Sequence, residues 1–273
     1  MSPRNHVSPE QWHLPSEHAT NGCFETMRAY RGKIFRLDAH LDRLYGSIAT
    51  LGTPAPRSRD WLRAELLNAL EGSGIAEAIV RVALMPDAKR SSIEPMIVVR
   101  PIVTPPASAY AKGIRVAVVP AQSFPVACVD PQAKYSARLG SVLAVMDAQL
   151  RGVDEAIFMD SRGYLTESTA SNFAVIKNGV LLTPPCAQGL LLGVTRSVLM
   201  DLARRLHMPT RGETLTRHDV YIADEVVFTS TLKEVLPVAS VDGRVIGSGA
   251  PGPFALRLLA AFRELVAEEL FHE

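Results

Sequence analysis

Pro101, Pro105 and Pro106, followed at once by Ala107-Ser108-Ala109, interrupt this chain more firmly than any other stretch. Proline fixes φ and removes a backbone donor, so a sheet cannot run through such a cluster. The fold must then be assembled from two blocks: residues 1–104 as a small α/β domain, 105–112 as a linker, and 113–273 as a larger domain. With 273 residues, 47% of them hydrophobic, there is chain enough for two real cores. Strands and helices alternate in both blocks, so the class expected is mixed α/β (α+β).

In the first block, residues 22–30 alternate as a strand, Arg31-Gly32-Lys33 reads as a tight turn, and residues 34–37 as the returning strand. Asp38 is placed to N-cap a helix carrying Leu41, Leu44, Ile48 and Leu51. A second helix carries Trp61, Leu62, Leu66, Ala69 and Leu70 and stops near Gly72, before apolar strands at 78–84 and 96–102. The second block opens with a strand at 114–119. A helix over 138–150 follows, its period turning Leu139, Val142, Val145, Met146 and Leu150 inward. A strand over 155–160 comes next. Asn178-Gly179 and Asp242-Gly243 mark two hairpins. A helix begins near Val194, and a C-terminal helix sets Leu256, Leu259, Phe262 and Val266 on one face.

A formal net charge of +1 gives no reason to expect nucleic acid or an anionic membrane as partner. No apolar run approaches the roughly 20 residues of a membrane span, and the polar, proline-interrupted N-terminus is no signal peptide. Cys23, Cys128 and Cys186 are widely spaced and odd in number, which suggests neither a disulfide framework nor a zinc site and fits the cytoplasm.

Chemistry-bearing residues are few. Only six lysines occur, and Lys134 stands out because it follows the loop Asp130-Pro131-Gln132-Ala133 and precedes an apolar helix. Such a junction can aim an amine into a cleft, although a solvated surface lysine is the plainer reading. Glu167, amid Thr166, Ser168, Thr169 and Ser171, is either a turn carboxylate or an acid poised beside a cation. Asn172 fixes that turn through its own side chain. Gly193-Val194-Thr195-Arg196 opens a helix whose free amides could hold an anion, or is an ordinary first turn. Thr229-Ser230-Thr231 is a second anion-capable turn, and Arg43 is a helix-face arginine.

Order and spacing join these signals. Gly22-Cys23-Phe24-Glu25-Thr26-Met27-Arg28, His40-Leu41-Asp42-Arg43-Leu44, Glu167 to Phe173, Gly193 to Arg196, Ala223 to Val226 and Phe228 to Thr231, with Glu234, Pro237 and Val238, resemble the class IV pyridoxal-phosphate aminotransferases. That family has the two-domain fold type IV, like D-amino-acid aminotransferase, and includes branched-chain and D-amino-acid transaminases, R-selective amine transaminases and 4-amino-4-deoxychorismate lyase. The resemblance implies pyridoxal 5'-phosphate in an interdomain cleft, a homodimer, and an amino donor and 2-oxo acid acceptor as substrates. It implies that Lys134 forms the Schiff base and moves the proton, and that Glu167 pairs with the pyridine nitrogen. It further implies that Arg43, the amides of Val194 and Thr195, the Thr195 hydroxyl and Thr231 hold the phosphate, and that Leu191 packs on the ring.

The chain departs from the family pattern in places. Ala174 stands where an aromatic is common, and Leu139 where branched-chain transaminases carry a tyrosine. Arg138 then either approaches the cofactor's phenolic oxygen or is a helix-surface arginine. For the substrate, Arg81, Lys89 and Arg90 are candidate carboxylate partners and Phe24 a candidate apolar wall, each equally a loop, strand-edge or core residue. Transamination of a branched-chain or D-amino acid is the expected function. The pyruvate-releasing lyase and the R-selective amine transaminase are the alternatives.

Overall fold

The computed structural model describes residues 22–52, 55–86, 93–120 and 130–272. Its strands fall into two sheets, one built before the proline cluster and one after it. In the first, β1 (Cys23–Tyr30) lies between β2 (Lys33–Ile34) and β3 (Ala78–Pro86), and β4 (Ile93–Pro101) completes four antiparallel strands. The returning strand is only two residues long because Arg36 enters the left-handed region (φ 55°) and starts α1 (Leu37–Leu51). Arg36 rather than Asp38 is therefore the N-cap. Asp38 lies in the first turn, where a carboxylate favours the helix dipole and accepts from Arg63 at 2.6 Å. α2 (Arg59–Ser73) is capped by the Ser58 hydroxyl, which accepts from the Trp61 amide, and ends at Gly74.

Both helices cover the same face of this sheet. Strand alternation turns Cys23, Met27, Ala29, Val80, Val82 and Leu84 toward them, against Leu41, Leu44, Leu62 and Leu66. Burying a leucine of this kind contributes about 1.5–3 kcal/mol. The other face, with Phe24, Thr26, Ile79, Arg81, Met96 and Val98, becomes one wall of a cavity.

The proline cluster ends β4 as expected, but the alanine-rich stretch after it winds into α3 (Ala107–Lys112). Gly113 follows with φ 77°, and a Cβ there would lie 2.8 Å from the Ala239 amide nitrogen. The second sheet has nine strands. Their order is β10 (Thr210–Gly212), β9 (Val180–Thr183), β8 (Asn172–Lys177), β11 (Glu225–Ser230), β12 (Glu234–Val241), β5 (Ile114–Val119), β6 (Glu155–Met159) and β7 (Leu165–Ser168). The ninth, β13 (Arg244–Val245), pairs with β12. Both expected hairpin turns have positive φ at both central residues, 50° and 73° at Asn178-Gly179 and 50° and 74° at Asp242-Gly243.

α5 (Val194–Arg205) and α7 (Pro253–Phe271) pack on one face of this sheet through Val198, Leu202, Leu259 and Phe262. Leu256, expected inward, is 48% exposed, and Leu258 and Leu265 take the inward positions. α6 (Arg217–Tyr221), opened by a Thr216–Asp219 capping box, is too short for periodicity to reveal.

α4 (Leu139–Leu150) has the expected range and the opposite orientation. Leu139, Val142, Val145, Met146 and Leu150 face outward, Leu150 at 87% exposure, while Ser141, Ala144 and Ala148 are buried. Val119, Ala156 and Phe158 fill the space beneath, so only small residues let the helix approach.

Candidate active site

The loop bearing Lys134 is held by β1. Near Cys23 that strand's outer edge is vacant, since β2 pairs only with Ala29 and Tyr30. Tyr135 fills the gap as an isolated bridge to Cys23. The Phe24 amide donates to the Lys134 carbonyl at 3.1 Å, and the Ser136 amide to the Gly22 carbonyl at 2.8 Å. The Lys134 amide donates to the Ser47 hydroxyl of α1 at 2.9 Å. So fixed, the lysine sends its amine along the Phe24 ring, with Nζ 4.8 Å from the centroid.

Opposite stands Glu167, on β7 rather than in a turn. Its Oε2 accepts from the Leu191 amide at 3.1 Å and from Asn172 Nδ2 at 3.2 Å, and Oε1 accepts no bond among the described residues. Asn172 also donates to the Leu191 carbonyl at 2.9 Å, so its side chain ties Glu167 to the segment before α5, while the turn expected of it is closed by the Ser168 amide donating to the Ser171 carbonyl. The chain then enters α5 through Gly193, where a Cβ would sit 2.1 Å from Asn172 Oδ1. No side chain caps α5, which leaves the first amides of a twelve-residue helix for a ligand.

Arg43 lies between the two sheets. It donates to both carboxylate oxygens of Glu25, at 2.6 and 2.8 Å, and to the Leu192 carbonyl at 2.9 Å. His40 Nδ1 lies 2.8 Å from the same carboxylate. Glu25 is fully buried, and the alternation that turns Cys23, Met27 and Ala29 toward α1 turns it there too. A carboxylate on an otherwise apolar strand face is the sequence signal for this pairing, although the sequence alone does not name its partners.

These groups set one another's ionisation. Burial would raise Glu25, but the Arg43 charge and the bonds from His40 and Arg43 hold it at about 2. Burial lowers His40 despite its bond to Glu25. Loss of solvation, then the charges of Arg43 and Arg138, bring Lys134 down to about 7 against the pull of Glu25 and Glu167. Burial lifts Glu167 to about 7, opposed by the Leu191 amide and the nearby cations. An amine and a carboxyl that both titrate near neutrality mark a reactive site.

One cavity of about 840 Å³ collects the candidates: Phe24, Arg43, Arg81, Lys134, Arg138, Glu167, Leu191, Val194, Thr195 and Thr231 all line it. Arg138 is drawn inward from the start of α4, donating to the Thr169 carbonyl and, at 3.2 Å, to the Ser141 hydroxyl, and so faces the cavity instead of lying on the helix surface. Arg81 stacks on Phe24 with Cζ 4.1 Å from the ring centroid. Lys89 and Arg90 lie outside the described residues. Lys233, not singled out from the sequence, also lines the cavity and is bound to Glu155 and to Ser171. The donor set suits pyridoxal phosphate: a near-neutral amine, a buried acid with a free oxygen, and uncapped amides beside a glycine. The Ser168 hydroxyl, next to Glu167 on β7 and also lining the cavity, has no partner among the described residues.

The model of the family "Amino-transferase class IV" matches residues 22–241. The chain belongs to the class IV aminotransferases. A Methanocaldococcus jannaschii relative of this aminotransferase is 35% identical over 251 residues, 90% of this chain and 87% of the relative. The branched-chain-amino-acid aminotransferase of Pseudomonas aeruginosa is 33% identical over 263 residues, 92% and 85% of the two chains. Among solved structures, a T.th. branched-chain amino acid aminotransferase with pyridoxamine 5'-phosphate superposes with a TM-score of 0.88 at 29% identity, covering 95% of this chain and 91% of that one. The aminotransferase therefore has fold type IV and depends on pyridoxal phosphate. Among the described residues no helix is long and apolar enough to cross a membrane.

Proposed function

We propose that this aminotransferase moves the amino group of a branched-chain amino acid to a 2-oxo acid, with Lys134 as its catalytic residue. The observation that carries the proposal is the meeting of Lys134, Glu167 and the start of α5 around one cavity. When bound, pyridoxal phosphate supplies an aldehyde for the amine and a ring that draws electrons from the substrate's α-carbon. The chain does the rest. Burial keeps the Lys134 amine near neutrality, so its Nζ would hold the cofactor's aldehyde and would carry the proton at the substrate's α-carbon. Glu167 Oε1 is free to accept from the pyridine nitrogen, and burial makes that charge-assisted bond strong.

The Val194 and Thr195 amides, the Thr195 hydroxyl, Thr231 and Arg43 would hold the phosphate, with Leu191 against the ring and Arg138 toward the phenolic oxygen. Phe24, Ile79, Met96 and Val98 give the substrate side an apolar wall suited to a branched side chain, and Arg81 offers a fork for a carboxylate.

The same reading divides the chain into domains at 1–104 and 113–273 around the linker, and pairs it as a homodimer in the cytoplasm. The outward stripe of α4 supports the pairing, since that helix continues directly from Lys134 and Arg138 and would cover its apolar face with a second copy. Free thiols at Cys23 and Cys186 suit a reducing compartment. A donor screen tests the substrate. L-leucine, L-isoleucine and L-valine with 2-oxoglutarate should turn over fastest, whereas D-alanine or (R)-1-phenylethylamine as the best donor would reject this reading. A solution mass equal to the 29.6 kDa of one chain would reject the dimer.

A further inference from the structure

The hairpin from β11 to β12 is closed by three residues, Thr231-Leu232-Lys233, with Ser230 facing Glu234 across it. A tight hairpin of this kind needs a left-handed residue where the chain re-enters the ladder, a position usually given to glycine. Here it is Glu234, at φ 54° and 4% exposed. A buried non-glycine residue persists in this conformation only when its surroundings over-determine it.

The surroundings do so from two other parts of the chain. Glu234 Oε1 accepts from Arg28 Nη1 at 2.9 Å and from the Tyr30 hydroxyl at 3.3 Å, both on β1. Oε2 accepts from Arg263 Nε of α7 at 2.8 Å. Arg28 and Tyr30 continue the row of alternate β1 residues that begins with Phe24 and Thr26. The Tyr110 hydroxyl of α3 donates to the Lys233 carbonyl at 3.1 Å, so the helix after the proline cluster steadies the same loop. Glycine would satisfy the backbone here and would leave the loop unattached to β1.

We propose that Glu234 is a positioning residue: it latches the loop carrying Thr231 to β1 and α7, and so holds one side of the phosphate cradle at a fixed distance from the Phe24–Lys134 wall. This rests on the reading of Thr231 as a phosphate-holding residue, and the test separates the two.

Equilibrium binding of pyridoxal 5'-phosphate and of unphosphorylated pyridoxal is measured on the full-length apo chain, with thermal melting alongside. Glu234→Gln, and Arg28→Gln from the opposite side of the pair, should weaken pyridoxal 5'-phosphate at least about tenfold and leave pyridoxal within about twofold. Glu234→Gly, which keeps the left-handed backbone without the carboxylate, should behave in the same way. Equal weakening of both ligands would mean general loosening of the fold and would overturn the proposal, as would wild-type binding by Glu234→Gly. If Thr195→Val and Thr231→Val leave the ratio of the two affinities unchanged, the phosphate reading fails and the proposal falls with it. If they lower it and Glu234→Gln does not, the proposal alone fails.

Discussion

The two sides of the cavity are made by different means. The four-stranded sheet offers a wall of side chains, with every second residue of β1, β3 and β4 facing inward. The nine-stranded sheet offers a rim of strand ends, turns and one helix start: Glu167 to Asn172, Leu191 to Thr195, and Thr229 to Lys233. A wall of side chains can change shape by substitution while its strands stay paired. A rim that binds through amides and short hydroxyls depends on its backbone path, as Gly193 against Asn172 illustrates. The wall is therefore suited to choosing a substrate and the rim to holding a cofactor. Lys134 belongs to neither sheet, and its loop is hydrogen-bonded to the wall at Phe24 and Gly22.

The largest effect should come from that loop. In the proposed mechanism Lys134 both holds the cofactor's aldehyde and carries the proton, so Lys134→Ala should lower turnover by at least about 10³-fold. The loaded protein should also lose the visible absorbance of the bound cofactor. Retention of either signal would take Lys134 out of the chemistry and dissolve the division between wall and rim.

The next effect concerns how rim and loop respond to pH without cofactor. Burial brings Lys134 down to about 7 from an ordinary 10.5, so its charge opposes folding below pH 7 and that penalty fades as pH rises from 7 to 10.5. Glu167 is raised from 4.5 to about 7, so the folded chain binds the extra proton between these values and stability falls as pH climbs through that window. The two slopes meet near neutrality. Apo-protein melting should therefore dip around pH 7, by a few degrees for a chain of this size. Lys134→Ala should flatten the alkaline arm and, by removing a cation that opposes protonation of Glu167, carry the acid arm to higher pH, whereas Glu167→Gln should flatten the acid arm and start the alkaline arm at lower pH. Melting curves for the three proteins that keep the same shape would show that these groups are solvated in the apo protein.

How much of this was legible in the sequence depends on the kind of signal. Asn178-Gly179 and Asp242-Gly243 announced their hairpins because few residues tolerate two positive φ angles in succession. The arrangement of Lys134, Glu167 and Gly193 was legible through the order of the motifs, and the cavity collects all three. Periodicity correctly found α4 but could not say which stripe faced inward, since the decision lies with Phe158 and Ala156 beneath it. Arg36 displaced Asp38 as a cap because a left-handed arginine carries no sequence mark of its own. The Glu25–Arg43 and Glu234–Arg28 pairs join residues far apart in the chain, and single-sequence patterns are blind to such partners.

The smallest effect should come from the wall itself, and it tests whether that side selects substrate. Arg81 lies on the Phe24 ring near Arg100, and burial together with that like charge lowers its proton affinity, a situation an arriving carboxylate would relieve. Arg81→Met keeps the stem that covers Phe24 and removes the fork. It should raise the KM for 2-oxoglutarate about tenfold while kcat stays within about twofold, which is the signature of lost uniform binding. The KM for 4-methyl-2-oxopentanoate, which has no second carboxylate, should move much less. A fall in kcat with both acceptors would place Arg81 with the groups that hold the reacting atoms, and the four-stranded sheet would then share the work assigned to the rim.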